Sequence, residues 1–220
     1  MQDPSITGVI LAGGLNTRFQ GRAKAFQEIG GRRIMDRLMD LYTGLFDDII
    51  IVTNDPLRYV EWNAQVVTDV LPQRSALTGI HTGLFYARTE YAFFTACDVP
   101  FLRAEVVRLV LEAVDPGIDA VMPETDRGFE PLCAVYATRL VTAAAHHVQQ
   151  GDFKIRRAFR KRRIRTVSEK RLRAVDPGLI SFFNVNTPND LVAAERYCLQ
   201  AQCDPMREAD RGYEPDDGGD

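Results

Sequence analysis

Residues 9–24 read VILAGGLNTRFQGRAK, and this stretch decides the fold class. An apolar strand carried by Val9, Ile10 and Leu11 runs through Ala12 into the pair Gly13-Gly14, and the loop beyond holds Arg18, Arg22 and Lys24. Glycine lets a backbone approach a ligand closely and adopt positive φ. Arginine offers a planar fork for phosphate oxygens, and lysine a compact charge. A strand opening into such a loop, at the amino end of an α/β pattern, points to a nucleoside triphosphate site. The spacing is that of neither common glycine-rich motif. Lys24 stands between Ala23 and Ala25 rather than in Gly-Lys-Ser/Thr, and residues 13–21 lack G-x-G-x-x-G. This stretch alone leaves open a tight strand-to-helix turn with solvated basic residues.

Outward from it, short apolar runs alternate with helical patterns. The alternation predicts strands at 7–12, 48–53, 65–68, 91–97, 119–123, 131–137, 163–167 and 180–184. It predicts helices at 32–43, 79–88, 103–114, 138–150, 153–161 and 188–200. Repeating β-α units over the first two thirds imply a mostly parallel sheet with helices on both faces. The segments 131–137 and 163–184 are less regular and fit an antiparallel strand and a small subsheet. Residues 1–200 read as one domain and 201–220 as an acidic, disordered tail. The last seventeen residues, DPMREADRGYEPDDGGD, hold seven acidic side chains and almost nothing apolar.

Composition narrows the function classes. With 45% hydrophobic and 26% charged residues and a net charge of −3, the chain makes no global case for nucleic acid. No run approaches the ~18 apolar residues of a membrane helix, and the first residues lack a basic signal-peptide region. Cys97, Cys133, Cys198 and Cys203 form no CxxC pair, which suits reduced thiols in a cytoplasmic protein. The basic run from Lys154 to Arg173 is read first as a solvated basic helix, then as a face for an anionic substrate or partner, and last as a nucleic-acid face.

Open α/β sheets bind ligands beyond the carboxyl ends of their strands. Asp98 meets that forecast, closing the run from Tyr91 to Cys97 just before Val99-Pro100. A carboxylate there is costly to bury unless paired or bound to a cation, and Mg²⁺ prefers carboxylate oxygens together with substrate phosphates. A cap on the following helix is the structural alternative. In the run from Asn184 to Leu191, Thr187, Pro188 and Asp190 have the spacing of a helix start. Asn184 and Asn186 lie outside that explanation. Their alternation puts both on one side of a strand end, where the amide of Asn186 suits the shell of Mg²⁺ and Asn184 suits a ligand or its loop. Asp69 and Asn54 end two other strands and fit base or ribose contacts. Gly79 fits close approach to the nucleotide. Taken alone, turn and cap roles account better for Asp69 and Gly79, and Asn54 is ambiguous in the same way.

Together these residues resemble the molybdenum cofactor guanylyltransferase family. LAGGLNTRFQGRAKAF is similar to its glycine-rich signature, with Leu11, Ala12, Gly13, Gly14, Arg18 and Lys24 matching. CDVP at 97–100 is similar to its magnesium-binding Cys-Asp-x-Pro, and NVNTPNDL at 184–191 to its Asn-Val-Asn-Thr-Pro. GFEPLCAVY at 128–136 resembles the strand lining the acceptor side, through Pro131. Ala23 and Ser75-Ala76 depart from the family pattern beside the lysine and ahead of Gly79. The resemblance implies a three-layer, Rossmann-like nucleotidyltransferase fold. It also implies transfer of GMP from GTP to the terminal phosphate of molybdopterin, with Mg²⁺ as cofactor. Arg18, Lys24 and Asp98 would be catalytic, the backbone at Ala12–Gly14 a phosphate cradle, and Asn184 and Pro131 acceptor contacts. Molybdoenzymes or other cofactor-biosynthesis proteins would be partners. Transfer from CTP, a sugar-1-phosphate acceptor, and a non-catalytic nucleotide-binding adaptor are the alternatives.

Overall fold

The computed structural model describes residues 5–13 and 24–201. In chain order the elements are β1 (Ile6–Leu11), the hairpin β2 (Glu28–Ile29) and β3 (Arg32–Arg33), and α1 (Ile34–Thr43). There follow β4 (Ile49–Val52), β5 (Gln65–Val67), α2 (Ala76–Tyr86), β6 (Tyr91–Ala96) and α3 (Ala104–Glu112). Next come β7 (Ala120–Thr125), β8 (Gly128–Phe129), β9 (Cys133–Ala137), α4 (Val141–Gln149) and α5 (Ile155–Ala158). The described part ends with β10 (Ile164–Ser168), α6 (Glu169–Val175) and α7 (Pro188–Ala201).

The main sheet runs β10-β7-β9-β6-β1-β4-β5, with β8 on the side of β7. Pairings β1/β4, β1/β6, β4/β5 and β10/β7 are parallel, while β9 lies antiparallel between β6 and β7. Successive side chains of a strand point to opposite faces, and the cores follow that rule. Ile10, Ile51 and Phe93 pack with Leu38 and Tyr42 of α1 and Val107 of α3. Val9, Ile50 and Phe94 pack with Leu77 and Ile80 of α2 and Val148 of α4. Strands apolar on both faces demand helices on both faces, and a three-layer α/β sandwich results. Each fully buried residue such as Phe93 or Phe94 contributes about 1.5–3 kcal/mol of transfer free energy. Among the described residues, no helix is long and apolar enough to cross a membrane.

The antiparallel strand expected at 131–137 is β9. Three other expectations fail for local reasons. The subsheet lies at 28–33 rather than 163–184, because Gly30 and Gly31, at φ 59° and 79°, make the tight turn that joins β2 to β3. The helix expected over 153–161 spans only Ile155–Ala158, and a longer one would stack Arg156 on Arg160 and Arg157 on Lys161. The strand expected at 180–184 is instead a 3-10 turn at Ile180–Phe182 followed by irregular chain. Leu179 at φ 51° turns the backbone, and the buried Asp176 accepts the Ser181 amide at 2.8 Å. Helix α6 follows β10 directly, where no helix is expected.

Candidate active site

Parallel strands β1, β4, β5 and β6 end at one edge of the sheet, and two polar groups form there. The first gathers three distant segments. Lys24, in a 3-10 turn after the opening loop, donates from Nζ to Asp98 Oδ2 at 2.9 Å and to Asn186 Oδ1 at 2.6 Å. Asp98 follows β6, and its carbonyl accepts the Val185 amide at 2.8 Å, which ties the Asn186 segment to the β6 end. The start of α7 then fixes Asn186. Asp190 Oδ2 accepts the amides of Asn186 and Thr187 at 2.9 and 2.7 Å, and Thr187 Oγ1 accepts the Asp190 amide. This reciprocal cap leads with the Asn186 amide in holding the Asp190 carboxyl below the usual carboxylate range. Asp98 Oδ1 is buried and has no hydrogen-bond partner among the described residues.

The second group surrounds the end of β1. Asn54 Nδ2 donates to Asp69 Oδ2 at 2.8 Å, and Asp69 Oδ1 is buried without a partner among the described residues. A Cβ on Gly13 would lie 3.3 Å from Asn54 Nδ2 and 3.9 Å from Asp69 Oδ2. Glycine at this position therefore keeps the backbone close to the pair.

Several expected roles are redrawn. The Ala12 amide donates to Val52 O at 2.8 Å and the Leu11 carbonyl accepts from Cys97 N, so the cradle begins no earlier than Gly13. Gly79 lies inside α2, where a Cβ would meet Leu11 Cδ2 at 3.1 Å. Its close approach is to the end of β1. Asn184 is exposed and donates to the Phe182 carbonyl at 3.1 Å, two residues back. With no strand at 180–184, it does not share a strand face with Asn186. Pro131 stands in the turn before β9, where its carbonyl accepts from Tyr136 Oη at 2.8 Å. Gly14, Arg18, Arg22 and the tail from residue 202 lie outside the described residues.

Two neighbours of the site escape a sequence reading. His81, two residues after Gly79, is buried with Nδ1 unpartnered among the described residues. Burial pulls its pKa down against the attraction of nearby Asp69, so it sits at the second group as a neutral ring. Cys97, beside Asp98, is a thiol pushed up to about 12 by burial and the Asp98 charge, and it is inert at neutral pH.

Comparison with known proteins accounts for this arrangement. A model of the MobA-like NTP transferase domain matches residues 8–167. A molybdenum cofactor guanylyltransferase of Desulfosudis oleivorans is 48% identical over 191 residues, covering 87% of this chain and 95% of that protein. One from Syntrophotalea carbinolica is 31% identical over 185 residues, covering 84% and 88%. The crystal structure of molybdopterin-guanine dinucleotide biosynthesis protein A from Archaeoglobus fulgidus superposes with a TM-score of 0.78 at 28% identity, covering 89% of this chain and all of that one. A sheet edge built on Gly13, Lys24, Asp98 and Asn186 is thus met in a chain that belongs to the MobA-like NTP transferase family, alongside the molybdenum cofactor guanylyltransferases.

Proposed function

We propose that this protein transfers GMP from GTP to the terminal phosphate of a molybdopterin acceptor and releases pyrophosphate. The observation that carries the reading is the meeting of Lys24, Asp98 and Asn186, from three remote segments, at the carboxyl edge of the sheet. Relatives that cover most of the chain and are named molybdenum cofactor guanylyltransferases support the same substrates.

The acceptor phosphate is itself the nucleophile and is ionised near neutral pH, with a second pKa of about 6. A general base is unnecessary, and the neutral His81 fits that requirement. Catalysis then rests on alignment and on neutralising charge at the transferring phosphorus. Lys24 offers an ammonium on a flexible stem, held between two oxygen acceptors and able to turn toward phosphate oxygens. Asn54 and Asp69, brought under Gly13, offer a donor and acceptors to the nucleoside.

A divalent cation fits the residues at Asp98. Its Oδ1 is buried and unpartnered among the described residues, and its Oδ2 and Asn186 Oδ1 already flank one positive charge. Carboxylate and amide oxygens form the hard donor set that Mg²⁺ takes. When bound there, Mg²⁺ would draw charge from the phosphate oxygens of the triphosphate. Asp98 and Asn186 would hold it, and the cap on α7 would keep Asn186 in place.

The test is pyrophosphate release from GTP with and without molybdopterin, run beside CTP, ATP and UTP. The reading expects release that requires acceptor and favours GTP. Acceptor-independent release, or a preference for CTP, would contradict it.

A further inference from the structure

Beyond β6, the turn that leads into β9 encloses a second feature of the same sheet edge. Thr95 pairs with Cys133 in antiparallel register. Asp98 lies three residues past Thr95 and Glu130 three residues before Cys133, so the two carboxylates belong to adjoining turns. The Glu130 turn is tied down on both sides. Its amide donates to Pro123 O at 3.0 Å, and its carbonyl accepts from Cys133 N at 3.1 Å.

Glu130 lines a cavity of about 230 Å³ together with Arg127, Phe182 and Phe183. Phe182 and Phe183 immediately precede Asn184. The carboxylate accepts no hydrogen bond and contacts no cation among the described residues. Burial raises its pKa, and the attraction of Arg127 offsets only part of that cost. Arg173, at the same cavity, is already engaged by Glu169 Oε1 at 2.7 Å and by the Pro177 carbonyl at 2.8 Å. The carboxylate is partly buried, has no donor among the described residues and borders a space open to a ligand. The space is smaller than the roughly 300–1,000 Å³ of a pocket that takes a whole drug-sized molecule. It suits one flat ring.

We propose that this cavity receives the pterin ring of the acceptor, with Glu130 accepting two parallel N–H bonds from the amino-pyrimidine edge and Phe182 packing on the ring. The inference rests on the molybdopterin reading above and adds a specificity-determining residue to it. A pyrimidine N–H beside an exocyclic amine presents two donors side by side, and a carboxylate presents two acceptors at matching separation. Held this way, the ring directs its phosphate-bearing arm along the Asn184–Asn186 segment toward Asp98.

The experiment uses the full chain and two fluorescent probes, pterin and lumazine, which carry an amino group or an oxygen at the same ring position. Binding is titrated by fluorescence for the wild type, Glu130→Gln and Asp126→Asn. Asp126 is an exposed carboxylate on the rim of the same cavity. The wild type and Asp126→Asn should bind pterin about tenfold more tightly than lumazine, and Glu130→Gln should lose that preference. In turnover, Glu130→Gln should raise KM for molybdopterin and leave KM for GTP in place. Absence of pterin binding, a wild type without preference, or a preference kept by Glu130→Gln would overturn the assignment. Failure of the molybdopterin reading shows separately, as no acceptor-dependent pyrophosphate release from the wild type.

Discussion

The two ends of the sheet treat their aspartates in opposite ways, and only Asp119 is a buried residue while Asp98 and Asp69 are partly buried. Asp119, at the amino end of β7, has both oxygens satisfied. Oδ1 accepts from Arg139 Nε at 2.9 Å, and Oδ2 from the Arg163 amide at 2.9 Å. Burial raises its pKa, but these bonds outweigh burial and hold the carboxyl below the usual range. At the carboxyl end, Asp98 and Asp69 each have one oxygen bonded and one buried without a partner among the described residues. A saturated carboxylate closes the fold. A half-satisfied one carries a desolvation cost that the described residues do not offset.

Substitutions can break this contrast. The largest expected effect is Asp98→Asn, which should lower kcat/KM for acceptor-dependent pyrophosphate release by about 10²–10³ while moving folding stability by no more than about 1 kcal/mol in a urea melt. Lys24→Ala comes next. It should weaken GTP binding far more than guanosine binding, read by calorimetry, and equal losses would count against a phosphate role. Asp119→Ala should do the reverse of Asp98→Asn, costing about 2–3 kcal/mol of stability because the Arg163 amide loses its acceptor, with KM for GTP unchanged. Asn54→Ala should raise KM for GTP about fivefold, the weight of one hydrogen bond. The smallest effect concerns pH. The depressed Asp119 pKa gives stability that is fully present above the unfolded value of about 3.9 and is lost as pH falls through the folded value. The stability gap between wild type and Asp119→Asn should therefore narrow below about pH 4 in acid melts.

Much of the carboxyl edge is legible in the chain because strand ends and caps are local. Apolar runs mark β1, β4 and β6, and Asp98 follows its run directly. The Thr187-Pro188 start of α7 is also spelled out in adjacent residues. What escapes is set by tertiary contact. The Ala12 amide is consumed by Val52 across the β1/β4 pair, which no local pattern announces. Asn184 loses its strand face to a turn governed by Asp176, eight residues earlier. The approach of Gly79 to Leu11 and the place of His81 depend on how α2 lies on the sheet. The shortened α5 is a charge effect visible in the sequence, in like charges four residues apart, that apolar periodicity alone overrides.

The contrast between the two aspartates is tested most directly by measuring GTP affinity with and without Mg²⁺ in the wild type, Asp98→Asn and Asp119→Asn. Magnesium should tighten GTP binding to the wild type and to Asp119→Asn, and leave Asp98→Asn unaffected. An Asp98→Asn protein that keeps the full magnesium effect would contradict the assignment of the half-satisfied carboxylate to the cation.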